Sequence, residues 1–187
     1  MVRVLGVDPG LTRCGVGVVE GVVGRPPTFL HAGVIRTPSE LDHARRLVQL
    51  ERGLEEWCDR ANPEAVAVER VFAQHNLHSV TGTAQAAGIA MLVAARRGLP
   101  VVLHTPSEVK AAVTGNGRAD KAQVGAMVAR ICRLEAPPSP VDAADAVALA
   151  ITHVWRGAAT NRYAELVAAA RIPATRTNTS RLRKGRP

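Results

Sequence analysis

Aromatic residues, cysteines and long apolar runs are all scarce in this chain of 187 residues. Its three cysteines are odd in number and lack the spacing of a metal site, which argues against a disulfide framework or a zinc site. We expect Cys14, Cys58 and Cys132 to be buried free thiols in a reducing cytoplasm. No apolar run of about 18 residues is free of charge, so no segment is predicted to span a membrane. The N-terminus lacks the pattern of a secretion signal, which also favours a cytoplasmic location.

Acidic residues are also few, and the basic excess is concentrated in the C-terminal tail. The chain has a net charge of +8, from 24 Lys and Arg against 16 Asp and Glu. Residues 171–187 contain six of the basic side chains and no acid, so the rest of the chain is nearly neutral. We expect this tail to be disordered. It either holds a polyanion through phosphate contacts or only improves solubility.

Hydrophobic periodicity predicts one α/β domain over residues 1–157, followed by a C-terminal extension over 158–187 that includes the basic tail. Three hairpin-linked strands are followed by helices that alternate with two further strands. This order predicts a five-stranded mixed sheet with helices on both faces. The strands are expected at 2–8, 14–20, 28–36, 65–69 and 100–104, and the helices at 40–60, 79–97, from Thr105, at 120–133 and 140–156.

At two predicted helix starts, capping residues have a structural role. Ser39 is expected to cap the first helix, with Leu41, Ala44, Leu47, Val48, Leu54 and Trp57 forming its buried stripe. Thr105 and Glu108 match a second capping box, with proline at the first helical position.

Four carboxylates mark the ends of the most regular segments. Asp8 and Glu69 each end an apolar strand, and Asp142 and Asp145 lie one turn apart at the start of a helix. Each has an ordinary explanation alone: a turn for Asp8, a strand end reaching solvent for Glu69, and a cap with Ser139 for Asp142. The four together are not well explained by caps and turns.

Hard divalent cations account for the four acids as a set. Mg²⁺ prefers oxygen ligands and leaves coordination positions for water and phosphate oxygens. Two such ions about 3.5–4 Å apart can activate a water and stabilise a leaving oxygen in phosphodiester cleavage. We therefore expect two Mg²⁺ ions per active site, with Mn²⁺ as a substitute. The histidines, among them His104 and His153, are expected to be surface or packing residues.

The segments GVDPGLTRCG, ERVF and DAADAVALAITH resemble the RuvC family of Holliday junction resolvases. The resemblance extends over roughly residues 2–156 and implies a ribonuclease H-like fold. It implies that Asp8, Glu69, Asp142 and Asp145 are the metal-binding and catalytic residues. It also implies a homodimer that nicks two strands of a four-way DNA junction, leaves 5′-phosphate and 3′-hydroxyl ends, prefers thymine-containing sites and cooperates with the RuvA and RuvB branch-migration proteins.

Three further residues match DNA-binding positions of that family. Phe72 matches an aromatic residue placed against bases, and Lys110 and Lys121 match residues that contact the DNA backbone. On physical grounds Phe72 is either a core residue or a stacking platform, which can contribute about 1–3 kcal/mol per base. Lys110 is by default a solvated surface lysine, whereas Lys121 follows a Gly/Asn/Arg loop suited to phosphates.

Three rival functions can be set against this one. An actin-like phosphotransferase needs a second phosphate-binding turn, which this chain lacks. A junction-binding module without catalysis would not need four acids. A related ribonuclease H-like enzyme acting on RNA would be separated by its substrate. The small-residue helix near 79–97 is the candidate dimer face.

Overall fold

The computed structural model describes residues 1–71 and 77–169, and the side chains of 1–71 and 80–156. Phe72 and the basic tail at 171–187 lie outside the described residues. The elements follow the expected order: β1 (Val2–Asp8), β2 (Arg13–Gly21), β3 (Thr28–Arg36), α1 (His43–Ala61), β4 (Ala65–Glu69), α2 (Leu77–Arg96), β5 (Val101–His104), α3 (Pro106–Thr114), α4 (Lys121–Cys132) and α5 (Val141–Ala169).

The five strands form one mixed sheet in the order β3-β2-β1-β4-β5. The hairpin-linked strands β1, β2 and β3 are antiparallel, whereas β1, β4 and β5 are parallel. The predicted five-stranded mixed sheet is therefore confirmed. Because Val7 lies opposite Val68 in neighbouring parallel strands, Asp8 and Glu69 follow side by side at the same edge.

Helices cover both faces of the sheet, and the alternation of side chains decides which residue faces which helices. Leu5 and Val7 of β1 pack into the cluster that also contains buried residues of α1 and α2. Val4 packs into the opposite cluster, which includes residues of α3, α4 and α5. Asp8 continues the alternation of Val4 and Gly6, so its carboxylate lies on the face covered by α3, α4 and α5.

Three glycines let α5 lie directly on the sheet. A Cβ at Gly6 would come within 2.0 Å of the Ala146 carbonyl oxygen, and one at Gly15 within 2.0 Å of the Asp142 carbonyl oxygen. A Cβ at Gly17 would lie 2.6 Å from the Val147 backbone nitrogen. Gly15 is also the register partner of Asp8. The glycine seam (Gly6, Gly15 and Gly17) therefore fixes the first turn of α5 beside the end of β1.

The start of α1 differs from the expectation. Asp42, not Ser39, is the N-cap: its carboxylate accepts hydrogen bonds from the backbone N–H groups of Ala44 and Arg45. The Ser39 hydroxyl instead donates to Glu40. The expected buried stripe of α1 is only partly correct, since Leu54 is buried and Trp57 packs against the core. Ala44 and Val48 are exposed, and the buried residues are Leu50, Leu54, Cys58 and Ala61.

The later helices agree better with expectation. The capping box of Thr105 and Glu108 is confirmed at the start of α3. The predicted end of the last helix at 156 is wrong, since α5 continues through Gly157 to Ala169. In the part of the chain that the structure describes, no helix is long and apolar enough to cross a membrane. The chain divides into two units, Met1–Gly157 and Ala158–Pro187, and the site described below lies in the first.

Free thiols are observed at all three cysteines. Cys14 and Cys58 are buried as expected, whereas Cys132 is only half-buried. Both buried thiols lie in the cluster between the sheet and the helices α1 and α2.

Candidate active site

Three of the four predicted acids line one cleft at the carboxyl ends of β1 and β4. Asp8 and Glu69 come from these neighbouring parallel strands, and Asp145 comes from the second turn of α5. The cleft has a volume of about 200 Å³. The two predicted lysines complete its charged lining, and its other walls are Pro106, Val109 and Val124. The structure thus brings together Asp8, Glu69, Asp145, Lys110 and Lys121.

Lys121 is held at the cleft by the start of α4. It follows the N-cap Asp120, whose capping box with Gln123 fixes the first turn of the helix. The Lys121 ammonium donates to Oδ2 of Asp145 at 2.8 Å. This hydrogen bond raises the pKa of Lys121. A positive charge therefore lies directly on one of the cleft carboxylates.

Asp142 has a different partner. Arg13, at the start of β2, donates through Nε to Oδ2 of Asp142 at 2.7 Å. Asp142 is not among the residues that line the cleft. The alternative in which Asp142 and Ser139 form a capping box is not seen, since no hydrogen bond between them occurs within the described residues. Asp142 thus lies beside the cleft, and its carboxylate is paired with the Arg13 guanidinium.

Burial and mutual repulsion disfavour the charged forms of the two strand-end acids. Burial, followed by the negative charges of Glu69 and Asp145, raises the pKa of Asp8 to about 8, and the nearby Lys121 only partly opposes this. Burial also raises the pKa of Glu69, as does Asp145, while Lys121 and Lys110 oppose this. Carboxylates placed together in this way hold a proton unless a cation compensates their charge.

The chemistry of these donors fits a hard divalent cation. The cleft side chains that could ligate a cation are all carboxylates, and carboxylate oxygens are ligands that Mg²⁺ prefers. As they stand, no three Asp, Glu, His or Cys side chains among those described, in residues 1–71 and 80–156, are grouped closely enough to hold an ion. Two of the four acids are instead paired with cations of the chain itself, Asp142 with Arg13 and Asp145 with Lys121.

Arg13 is the residue of this site that the sequence reading missed. Its partner Asp142 is 129 positions away, so no local pattern connects them. The available signal was weak: Arg13 begins a strand in which Gly15 and Gly17 alternate with it on the same face. An arginine in line with the glycine seam points toward the helix that the seam receives.

The fold and the site define a nuclease of the ribonuclease H-like class, with strand-end carboxylates and lysines in one cleft. The family model described as crossover junction endodeoxyribonuclease RuvC matches residues 4–153. The chain belongs to this RuvC family of endodeoxyribonucleases, which confirms the resemblance seen in its motifs.

Curated relatives carry the same description. The RuvC of Streptomyces avermitilis is 69% identical over 166 residues, covering 89% of this chain and 94% of that protein. The RuvC of Cutibacterium acnes is 68% identical over 169 residues, covering 90% of this chain and 86% of that protein. Because these RuvC matches cover 89% and 90% of this chain, they exclude the phosphotransferase alternative.

Solved structures agree with this assignment. The chain is similar to Thermus thermophilus RuvC in complex with a Holliday junction substrate, with a TM-score of 0.80 and 33% identity. That match covers 86% of this chain and 97% of that chain. The yeast mitochondrial Holliday junction resolvase Ydc2 has a TM-score of 0.61 at 12% identity, which shows a shared fold.

Proposed function

We propose that this crossover junction endodeoxyribonuclease resolves four-way DNA junctions with Asp8, Glu69, Asp142 and Asp145 as its metal-binding and catalytic residues. The observation that carries the assignment is the convergence of three acids, from β1, β4 and α5, on one cleft with two lysines. The raised pKa values of Asp8 and Glu69 support it, because a bound cation would relieve the repulsion that raises them.

Two Mg²⁺ ions, or Mn²⁺ in their place, would be held by these acids. When bound, such a pair activates a water for in-line attack and stabilises the leaving oxygen, giving 5′-phosphate and 3′-hydroxyl ends. Asp8 and Glu69 lie side by side at the strand ends, so they provide the central oxygens. Asp145 and Asp142 approach from α5, which the glycine seam holds against β1 and β2.

Lys110 and Lys121 bind the DNA backbone in this proposal. Both line the cleft, and Lys121 is largely exposed even while it pairs with Asp145. When a cation takes the Asp145 carboxylate, the Lys121 ammonium becomes available for a phosphate oxygen next to the reacting bond. Phe72, which follows Glu69 by three positions, is proposed from the family resemblance to stack against a base.

A homodimer would carry out two symmetric nicks. The exposed face of α2 bears an apolar stripe at helical spacing, in which Met91 and Leu92 are 36% and 41% exposed. Gly88 has open space where a Cβ would be. A two-fold pair of such helices matches the requirement for the same cut on two strands. The stripe consists of Ala84, Gly88, Met91, Leu92 and Ala95.

Partners and location follow from the family and from cysteine use. By family resemblance, RuvA and RuvB would deliver the junction by branch migration. The three free thiols suit a reducing cytoplasm.

The test compares cleavage of a four-way junction, a linear duplex and an RNA–DNA hybrid by wild type and Asp8→Asn in Mg²⁺. Wild type should nick the junction alone. Asp8→Asn should lose this activity by on the order of 10³-fold, because the central carboxylate charge is removed, and should still bind the junction. Asp59→Asn, a surface change, serves as the matched control.

Three results would overturn the proposal. Preferred cleavage of the RNA–DNA hybrid would assign the related RNA-directed activity instead. Wild-type nicking by Asp8→Asn would remove the metal-site assignment, and junction binding without any nicking by wild type would favour a binding module.

A further inference from the structure

The four acids of the site are not equivalent in this structure. Asp8, Glu69 and Asp145 line the cleft, but Asp142 does not. Its carboxylate accepts a hydrogen bond from Arg13 Nε at 2.7 Å. The fourth acid is therefore turned toward β2 by a cation of the chain itself.

The backbone on both sides of this ion pair is closely packed or hydrogen-bonded. Asp142 lies directly on β2, because its carbonyl oxygen occupies the space that a side chain at position 15 would fill. The turn before Arg13 is held by Arg46, which donates to the Thr12 hydroxyl at 2.6 Å and to the Thr37 hydroxyl at 3.0 Å. The nearly buried Thr37 donates in turn to the Leu11 carbonyl at 2.6 Å. Opening of the ion pair therefore requires only that the two side chains rotate apart.

Electrostatics favours an anion on Arg13. Its register partner in β3 is Arg36, so two cations lie side by side on the same face of the sheet. Asp142 offsets that repulsion at present. The side chain of Arg13 is 45% exposed, against 25% for Asp142, so a DNA phosphate could reach the guanidinium from solvent. Arginine binds phosphate and carboxylate oxygens with the same planar donors.

We propose that Arg13 is a positioning residue that keeps Asp142 out of the metal-binding set until a DNA phosphate takes the guanidinium. Release of Asp142 then completes the four-acid site. Junction binding and binding of the second cation are coupled, and each strengthens the other by the same factor. This inference rests on the proposed metal role of Asp142. An ion pair of this exposure weakens a competing cation by at most about fivefold.

The first experiment measures Mn²⁺ binding to the DNA-free protein by calorimetry, so that no cleavage is needed. Of the two Mn²⁺ ions, Arg13→Gln should bind the one with lower affinity about two- to fivefold more tightly than wild type does. Arg13→Lys keeps a cation and should behave like wild type. Arg36→Gln removes the same charge from the neighbouring strand and should leave the affinity unchanged. Thermal unfolding verifies that each variant is folded.

Two outcomes of this titration overturn the inference. Arg13→Gln could bind Mn²⁺ as wild type does, or Arg36→Gln could tighten binding equally, which would indicate a general charge effect. Asp142→Asn separates this failure from failure of the metal site itself. If Asp142→Asn weakens Mn²⁺ binding while Arg13→Gln does nothing, the metal assignment stands and the role of Arg13 falls. If Asp142→Asn also changes nothing, both fall.

The second experiment measures junction affinity in EDTA at several salt concentrations. If Arg13 takes a phosphate, Arg13→Gln should reduce the slope of log Kd against log salt by about 0.9. An unchanged slope would show that Arg13 does not contact DNA and would overturn the coupling.

Discussion

His104 and His153 are buried together on the face of the sheet that carries the active site. Each is 3% exposed, and their ring centroids are 5.7 Å apart. Nε2 of His104 and Nδ1 of His153 have no hydrogen-bond partner among the described residues. Burial and, secondarily, His153 lower the pKa of His104 to about 4. Burial also lowers the pKa of His153. Both were expected to be surface or packing residues, and packing is correct.

This pair predicts acid sensitivity. Because the folded protein resists protonating these rings, the unfolded chain takes up protons first as the pH falls below 6.5. The stability from the neutral pair is complete above that pH and is lost as the pH falls toward about 4. Between pH 8 and pH 5, wild type should lose about 2 kcal/mol more unfolding free energy than His104→Leu, which lacks this ionisable ring. Urea unfolding at pH 8 and pH 5 measures the difference between variant and wild type.

The readout is the change in unfolding free energy between pH 8 and pH 5 within each protein, so any effect of the leucine substitution that does not depend on pH cancels. An equal loss of stability at pH 5 in wild type and His104→Leu would contradict the account of the pair.

Local patterns explain which site residues could be predicted. Asp8 and Glu69 end short apolar strands, and Asp145 opens a helix, so their positions follow from element boundaries. The placement of Asp8 beside Glu69 required only that β1 and β4 be neighbours. Arg13 was missed because its role depends on a contact across 129 positions. The predicted role of Phe72 stays a prediction.

At the scale of elements, the active site depends on how closely α5 approaches β1 and β2. The glycine seam makes this approach possible, because any Cβ there would meet helix backbone. The backbone cannot give way as a flexible side chain would. The position of Asp142 and Asp145 therefore depends on residues that carry no side chain at all.

Gly15→Ala tests the seam. Its new methyl group would meet the Asp142 carbonyl oxygen at 2.0 Å and push α5 away. We expect a loss of about 1–3 kcal/mol of unfolding free energy. Nicking measured well below the unfolding temperature should fall more than the small unfolded fraction explains. Guanidinium unfolding and junction cleavage provide the two measurements.

Gly82→Ala is the matched control in α2. A Cβ there lies at an ordinary 3.4 Å from the Leu11 side chain. Because alanine favours a helix, this variant should gain roughly 0.5–1 kcal/mol. Wild-type stability and nicking in Gly15→Ala would show that the seam is not needed.

The sheet and most helices could be predicted from periodicity, caps and turns. The capping box of Thr105 and Glu108 is local and is confirmed. The start of α1 was wrong because Ser39 and Asp42 are both good caps, and only the folded backbone selects between them. The end of α5 was wrong because Gly157 alone does not stop the helix.

At the scale of the whole molecule, the proposed homodimer requires two active sites that face two strands of one junction. The apolar stripe of α2 is the surface proposed to join two copies. Leu92→Glu should place a charge at its centre and shift the protein from dimer to monomer. Sedimentation equilibrium at micromolar concentration measures this, and the free energy of unfolding of the monomer should change little.

Val23→Glu is the control for surface charge. Val23 is 60% exposed in the β2–β3 connection, away from the stripe. The Val23→Glu protein should remain dimeric. A Leu92→Glu protein that stays dimeric and makes paired nicks would place the interface elsewhere.

The central claim is that carboxylates of one cleft hold the cations that cut the junction. Single-turnover nicking of an immobile four-way junction, titrated with Mg²⁺ for wild type and Asp145→Asn, tests it most directly. Asp145 lines the cleft and is not a cap, so its replacement leaves the start of α5 intact. Asp145→Asn should retain junction binding and lose nicking by about 10²–10³-fold at every Mg²⁺ concentration. Nicking by Asp145→Asn at the wild-type rate and with the wild-type Mg²⁺ dependence would contradict the account.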